Sequence, residues 1–243
     1  MPHSSLTLQQ LTRYLHLPEV QVRKLVDRGA IPCRRVNGEL IFSQEEVHRW
    51  LEGRIGVSDE SGLVWVESAL DHSVPVGGVE ELVTISELIP EGAIATPLLA
   101  KTRDSVIRSM IQLAVGTGLL WDGEAMLDAV KQREELHSTA LESGVALLHS
   151  RRPLPGILGD TFIVLGKLSN GIPFGGGFNN LTDIFFLICS MEDRIHLRIL
   201  TRLSRLLTYP DFLVKLRELE REDLIRKLLR TTELSILSSI KGD

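Results

Sequence analysis

Residues 133–153 read REELHSTALESGVALLHSRRP, and they set the frame for the rest of the chain. The opening residues close a charged helical pattern. A polar turn follows, then Gly144-Val145-Ala146-Leu147-Leu148, a short apolar run of the kind that forms a buried strand. His149 stands where that run stops. A strand end is a rigid support, and a side chain just past it is expected to leave the core and meet a partner. Imidazole is the side chain most readily poised near neutral pH, and its neutral form is a nucleophile. Arg133, Ser138 and Thr139 lie upstream, where the chain can fold back and offer donors to an anion. Arg151 and Arg152 follow directly, so the local charge favours a negative group. A histidine ringed by such donors suits phosphoryl transfer, in which catalysis is mainly positioning and charge stabilisation. Taken alone, a single histidine after a strand is more often structural or simply exposed.

The chain has 243 residues, 43% hydrophobic and 24% charged, the composition of a globular protein of one large or two ordinary domains. Its net charge of −5 is unevenly spread. Residues 1–55 carry eight Lys/Arg and six Asp/Glu, and the remainder carries 19 and 26. A basic small module on a larger acidic one hints at nucleic-acid contact by the first. Cys33 and Cys189 lie far apart without a CxxC spacing, which excludes a disulfide framework and a thiolate zinc site and fits a reducing cytosol. Cys189 follows the apolar run Ile184-Phe185-Phe186-Leu187-Ile188 and is expected in the core. No signal-peptide pattern opens the sequence and no apolar run approaches a membrane span, so a cytoplasmic protein without membrane contact is expected.

Residues 1–5 read as a loose end. From Leu6 the sequence LTLQQLTRYLHLPEVQVRKLVDRGAIP spaces Leu8, Leu11 and Leu15, then Val22, Leu25 and Val26, at helical intervals. Pro18 suits the first turn of the second helix and Gly29 its end. Two short helices at a tight joint predict a helix-turn-helix. Asn37-Gly38 between β-prone arms predicts a hairpin, and Ser43 with Glu46 a capping box opening a third helix, with Val47, Trp50 and Leu51 packing back on the first two. This stretch resembles the excisionase/MerR-type winged helix-turn-helix family over residues 6–54, on Leu6-Thr7, Leu15, Val22, Leu25, Gly29, Ile31-Pro32 and Phe42. The resemblance implies that the second helix enters the major groove of DNA with Gln21, Arg23, Lys24 and Arg28 outward, while Arg34 or Arg35 on the wing reaches phosphate. Glu19 and Glu39 sit where they would repel phosphate, and a solvated protein–protein module is the alternative.

Residues 56–82 alternate Gly, Ser and acids with apolar islands and read as a linker, with Leu63-Val64-Trp65-Val66 as a candidate docking strand. A larger domain, 83–243, then begins with VTISELIP as an opening helix or strand. Val106, Met110 and Leu113 mark a helix stopped at Gly116. GEAMLDAVKQREEL is a second helix that delivers Arg133. Thr161-Phe162-Ile163-Val164-Leu165 and DIFFLICS are strand-length runs. The Gly175–Gly177 triplet between them lacks the Lys-Ser/Thr ending of a nucleotide loop and reads as a flexible loop beside the histidine. EDRIHLRILTRLSRLL puts His196, Ile199, Leu200, Leu203 and Leu207 on one stripe, with His196 near a helix start. The residues alone favour a core histidine there. The tail reads as further amphipathic helix.

Residues 133–149, with His196-Leu197 further on, resemble the signature of the fructose/mannitol and nitrogen-regulatory class of enzyme IIA proteins of the phosphoenolpyruvate-dependent sugar phosphotransferase system. The match rests on Arg133-Glu134, Ser138-Thr139, Gly144, Ala146 and His149 and extends over about residues 83–234. Leu148 stands where that family has Pro, and Ser150 where it has Gly. The resemblance implies an α+β protein: a three-layer α/β/α enzyme IIA-like domain with a mixed sheet behind a small winged helix-turn-helix domain. It implies His149 as acceptor of a phosphoryl group from an HPr-type carrier, with His196, Arg133, Ser138 and Thr139 as its supporting residues and no cofactor or metal. The chain is then a regulatory phosphohistidine carrier rather than a stand-alone enzyme, coupling phosphorylation to DNA binding. Its alternatives are a sugar-specific enzyme IIA handing phosphate to a IIB domain, and a binding module without phosphorylation. A homodimer is left open. A metal site from His137, His149 and His196 lacks close ligand spacing, and a Ser-His hydrolase lacks a nucleophile elbow.

Overall fold

A computed structural model describes residues 5–15, 19–36, 38–43, 46–47, 50, 84–175 and 180–240. The expectations for Pro18, Asn37, Leu51, the 56–82 linker with its candidate strand, and Gly176–Gly177 lie outside those residues. The chain divides into two compact units, Met1–Glu81 and Leu82–Asp243.

The first unit holds strand β1 (Ser5–Thr7), helices α1 (Leu8–Leu15) and α2 (Glu19–Asp27), and strands β2 (Arg34–Val36) and β3 (Glu39–Ser43). Ser5 to Thr7 are not a loose end. They form an antiparallel edge on β3, with Leu6 opposite Phe42, and the sheet runs β1-β3-β2. Helix α1 starts at Leu8, the first of the three leucines spaced for it, and Thr7 and Gln10 exchange backbone-to-side-chain bonds there in a capping box. That signal sits in the sequence as Thr-x-x-Gln. Gly38 has a φ of +84° between β2 and β3, the backbone a hairpin turn needs. Ser43 accepts from the Glu46 amide at 3.4 Å. Leu11, Val22, Ile31, Phe42 and Val47 are buried together as this unit's core.

The second unit does not open with a helix or strand. Thr84 to Ile89 form successive turns, in which the Glu87 carboxylate accepts from the Thr84 amide and hydroxyl, a local competitor to regular structure. Strand β4 (Ile94–Ala95) follows, then helices α3 (Arg103–Gly116) and α4 (Gly123–Leu136), strands β5 (Val145–His149), β6 (Phe162–Pro173) and β7 (Leu181–Cys189), and helices α5 (Asp193–Thr208), α6 (Phe212–Glu218) and α7 (Glu222–Ile240). Thr102 and Ser105 cap α3 reciprocally, and Asp122 caps α4, each satisfying amides that the helix cannot.

The sheet order is β4-β6-β7-β5. β4 pairs β6 in parallel, β6 pairs β7 antiparallel, and β5 pairs β7 in parallel. β5 is buried at every position and β7 from Ile184 to Cys189. A strand covered on both faces needs apolar side chains at consecutive positions, so neither shows alternation. Burial holds the Cys189 thiol well above its ordinary pKa, and it packs as a small apolar side chain. No described helix is long and apolar enough to cross a membrane.

The turn that launches β5 is tightly held. Arg217 on α6 makes paired bonds to Asp183 at 2.7 and 2.9 Å and donates to the Ser143 carbonyl at 2.7 Å. The backbone of Gly144 adopts a φ of +84°, and a Cβ there would lie 2.8 Å from Arg217 Nη2 and 3.1 Å from the Leu181 carbonyl. Gly144→Ala is therefore expected to destabilise the protein by about 2 kcal/mol or more, read as a lowered denaturant midpoint at unchanged m-value.

Candidate functional site

His149 is the last residue of β5 and lies in register with Ile188 on β7. The two strands run parallel, so their carboxyl ends open at the same edge of the sheet, the place where α/β sheets gather ligands. Two residues past that register, Ser190 directly follows β7, and α5 begins at Asp193. Its first turn carries His196, whose ring centroid lies 4.9 Å from that of His149 at an interplanar angle of 53°. The register of one strand pair and the start of one helix thus bring two imidazoles together from positions 47 residues apart in sequence.

The ring of His149 is fixed at both nitrogens. Its Nδ1 lies 2.7 Å from the Leu147 carbonyl oxygen. A carbonyl only accepts, so Nδ1 carries the proton and donates, and the lone pair of the neutral ring is left on Nε2. Arg133 Nε lies 3.3 Å from that Nε2 and donates to it, while Arg133 Nη1 donates to the His137 carbonyl at 2.8 Å. Arg133 sits in the last turn of α4. The expectation that His149 leaves the core is corrected: the ring is 3% exposed, because His149 is still within the strand ladder and is covered by Arg133 and His196. His196 is 2% exposed, and its Nδ1 lies 3.0 Å from the hydroxyl of Ser190, itself buried.

Ser138 and Thr139 fold back on β5 as expected: Leu147 donates to the Thr139 carbonyl at 3.3 Å and Ala140 bridges Ala146. Their hydroxyls have other partners. Thr139 gives both its amide, at 3.1 Å, and its hydroxyl to Glu134 Oε1. Ser138 Oγ donates to the Phe174 carbonyl at 3.5 Å and accepts from the Ala140 amide. A Cβ on Gly175 would lie 2.6 Å from Ser138 Oγ, so the start of the glycine-rich loop passes directly against this turn.

The family model described as "Phosphoenolpyruvate-dependent sugar phosphotransferase system, EIIA 2" matches residues 87–231. The chain belongs to this family. A helix-turn-helix domain model matches residues 5–55. Among curated relatives, the chain is 28% identical over 143 residues to the PTS system fructose-specific EIIABC component of Bacillus subtilis, an alignment covering 58% of this chain and 22% of that protein. It is 27% identical to the PTS system fructose-specific EIIA component of Haloferax volcanii, covering 61% and 96%, and 29% identical to a nitrogen regulatory protein of Bradyrhizobium diazoefficiens, covering 55% and 86%. The chain thus spans about a fifth of the first relative and nearly all of the second. Among solved structures, nitrogen regulatory protein IIA-Ntr from Neisseria meningitidis aligns with a TM-score of 0.53 at 18% identity, over 60% of this chain and 98% of that one. IIA mannitol from Escherichia coli aligns at 0.51 and 21%, over 58% and 97%. These likenesses show the enzyme IIA fold.

In this EIIA-type chain, sequence reading missed what braces the site. Glu134, 4% exposed, is the hub: besides Thr139 it takes Arg103 Nη2 from the start of α3, at 2.8 Å on both its Oε2 and its carbonyl. The Arg103 guanidinium lies 5.3 Å from the centroid of Phe174. A carboxylate at a buried helix position needs such partners, so Glu134 itself carried a signal. Arg103 is distant in sequence, and Ser190, six residues before His196, stands in no motif; neither carried one. In the helix-turn-helix unit, Lys24, Arg28 and Arg35 are exposed, as is Arg23. Arg23, however, is held by Glu19 on its own helix at 2.7 Å, and Arg34 by Glu46 at 3.1 Å. The Gln21 side chain lies outside the described residues.

Glu134→Gln retains shape but removes charge and turns an amide NH2 toward one of two sets of donors. It is expected to cost about 2–3 kcal/mol of stability, measured by equilibrium unfolding, with the loss reduced when Arg103 is replaced by Met in the same chain.

Proposed function

We propose that His149 accepts a phosphoryl group from an HPr-type carrier and that its phosphorylation state regulates DNA binding by the helix-turn-helix unit. The observation that carries this is the bond from His149 Nδ1 to the Leu147 carbonyl, which leaves the Nε2 lone pair toward Arg133. In the step itself, the Nε2 lone pair attacks phosphorus, the phosphorus–carrier bond breaks and its electron pair leaves with the carrier. The proton on Nδ1 stays where the carbonyl holds it, and that bond strengthens as the ring gains positive character. Arg133 stands at the position phosphorus must take, so its guanidinium moves from the ring nitrogen onto the phosphoryl oxygens, where planar paired donors suit the charge. His196, in the first turn of α5 and at its positive end, supplies a further donor. Ser138 and Thr139 act by shaping the turn rather than by offering their hydroxyls.

Acceptance adds a charge of about −1.5 to −2 to a domain of 83–243 that follows a DNA-binding head of 1–55 and a linker of 56–82. Such a charge alters contacts within or between chains and so the fraction of protein competent for DNA. Lys24, Arg28 and Arg35, all exposed, are the phosphate-contacting residues of this reading. Onward transfer to a IIB domain is the second reading, favoured by the likeness to two fructose-specific components.

The test is incubation of the full chain with phosphoenolpyruvate, enzyme I and HPr. An acid-labile adduct on His149 is expected, abolished in His149→Ala and slowed roughly 100-fold in Arg133→Ala. A His149→Ala protein that still takes up phosphate overturns the reading. Transfer from the adduct to a purified IIB domain decides for the second reading. In DNA titrations with fragments selected from a genomic pool, each Ala replacement of Lys24, Arg28 or Arg35 is expected to reduce the salt slope by about one.

A further inference from the structure

We propose that Arg23 is a base-reading residue held in place by Glu19, so that the second helix of the small unit selects DNA sites that present a guanine in the major groove. This deepens the DNA-binding part of the proposed function and rests on it.

Glu19 and Arg23 stand one turn apart on α2, and both are exposed. Nε and Nη2 of Arg23 both donate to Glu19 Oε1, at 2.8 and 2.7 Å. At such exposure the pair contributes little stability, and what it supplies is direction. It also removes charge. A guanidinium beside a carboxylate has almost no net charge to offer a phosphate, and Glu19 itself repels one. Charge attraction to the DNA backbone is therefore a poor use of this arginine.

Its geometry suits another use. A guanidinium has two forked edges, one of Nε–H with an Nη–H and one of Nη1–H with Nη2–H. Glu19 occupies the first. The second faces away from the carboxylate as two coplanar donors on a base that no longer swings freely. Guanine presents O6 and N7 side by side on its major-groove edge, and a fork of this kind meets both at once. A phosphate is served as well by a mobile lysine, whereas a base edge is planar and fixed by its pair.

The position on the helix agrees. Helical side chains lean toward the N-terminus of their own helix, and Glu19 in the first turn of α2 keeps the guanidinium there. Residues at that end of a recognition helix are the ones that contact base edges. Val20, three residues back from Arg23, is 65% exposed, so the fork stands beside an apolar side chain rather than in a cluster of cations. Lys24 and Asp27 continue the exposed surface, and Arg28 follows the helix. The acid at position 19, which repels the backbone of DNA, thus acts as a positioning residue for a neighbour that reads its bases.

The test uses the full chain and duplexes enriched from a pool with a randomised core. Replacing each guanine of the enriched site in turn by 7-deazaguanine removes N7 alone, and at one position this is expected to weaken binding roughly fivefold to tenfold. The double variant Glu19→Gln with Arg23→Gln leaves the net charge unchanged. It is expected to bind random-sequence duplex with the wild-type affinity and salt slope, but to lose roughly tenfold to hundredfold on the enriched site, with its preference for guanine over adenine at that position gone. Glu19→Gln alone should bind random-sequence duplex more tightly, with a salt slope steeper by about one, and prefer guanine at that position roughly fivefold less than wild type does. An enriched site insensitive to 7-deazaguanine overturns the proposal. So does a double variant that loses equally on enriched and random duplexes, or a Glu19→Gln protein with undiminished guanine preference. Failure of the wild-type chain to bind any duplex at low salt is a distinct result, which removes the DNA-binding reading and this proposal with it.

Discussion

The parallel pairing of β5 with β7 fixes His149 opposite Ile188, and the geometry of the site follows from that constraint. Parallel strands buried on both faces tolerate no slip, because moving one by a residue turns its whole side-chain set to the other face. Every residue of β5 is buried, so its register is set by packing above and below as well as by its partner. The imidazole at its end inherits this rigidity. Its Nδ1 is held by the carbonyl of Leu147, two residues back on the same strand. A short rigid side chain backed by a fixed dipole is a cheap way to present one nitrogen in one direction. The organisation has been met by the sheet before any substrate arrives.

The second constraint is electrostatic. Glu134 is charged and buried in a helix that ends at the site, and burying a lone carboxylate costs several kcal/mol. Its partners are those a working turn needs. Thr139 brings the turn down onto α4, and Arg103 brings the start of α3 to the same point. Arg103 also lies against Phe174, whose carbonyl takes the hydroxyl of Ser138. One carboxylate thus ties two helix ends, the Ser-Thr turn and the start of the glycine-rich loop into one cluster beside His149. A hydrophobic residue at position 134 could fill the space and avoid the desolvation cost. It could not orient three donors from two segments, which is what distinguishes a positioned turn from a merely packed one.

How far this was legible in sequence differs by residue, and the differences have physical causes. The spacing of Arg133 to His149 spans a helix end, a turn and a strand, each with its own local pattern, so the arrangement of those three elements could be anticipated. His196 could be placed near a helix start, but only resemblance to the enzyme IIA family set it against His149, since its apolar stripe alone argues for a core residue. The burial of His149 could not be read, because burial depends on what covers the ring, and Arg133 and His196 come from other elements. Ser190 and Arg103 were invisible for the same reason. The edge strand at Ser5 to Thr7 was missed because three residues carry too little periodicity, although Thr7 with Gln10 marked where α1 begins. The turns at Thr84 to Ile89 defeated an apolar reading because Thr84 and Glu87 satisfy the backbone locally.

Where the second unit begins, its backbone is gripped from the far end of the chain. Glu233 on α7 accepts from the amides of Ile85 at 2.5 Å and Ser86 at 3.0 Å. Arg226 donates to the carbonyls of Ile89, at 2.5 Å, and Pro90, and Glu222 accepts from Gly92. Burial raises the Glu233 carboxyl above its ordinary pKa, against the lowering effect of the two amides. A group with a raised folded-state pKa stabilises the fold below its unfolded value, and that contribution is lost as pH rises through the folded one. Keeping an ionisable group in so unfavourable a place makes physical sense if the backbone beside it has no other means of satisfaction. Turns without a regular ladder leave amides that must find acceptors, and here a helix more than a hundred residues away supplies them. Irregular backbone at the start of this unit and ionisable residues inside its last helix are therefore one feature, since removing Glu233 leaves the buried Ile85 amide without its acceptor.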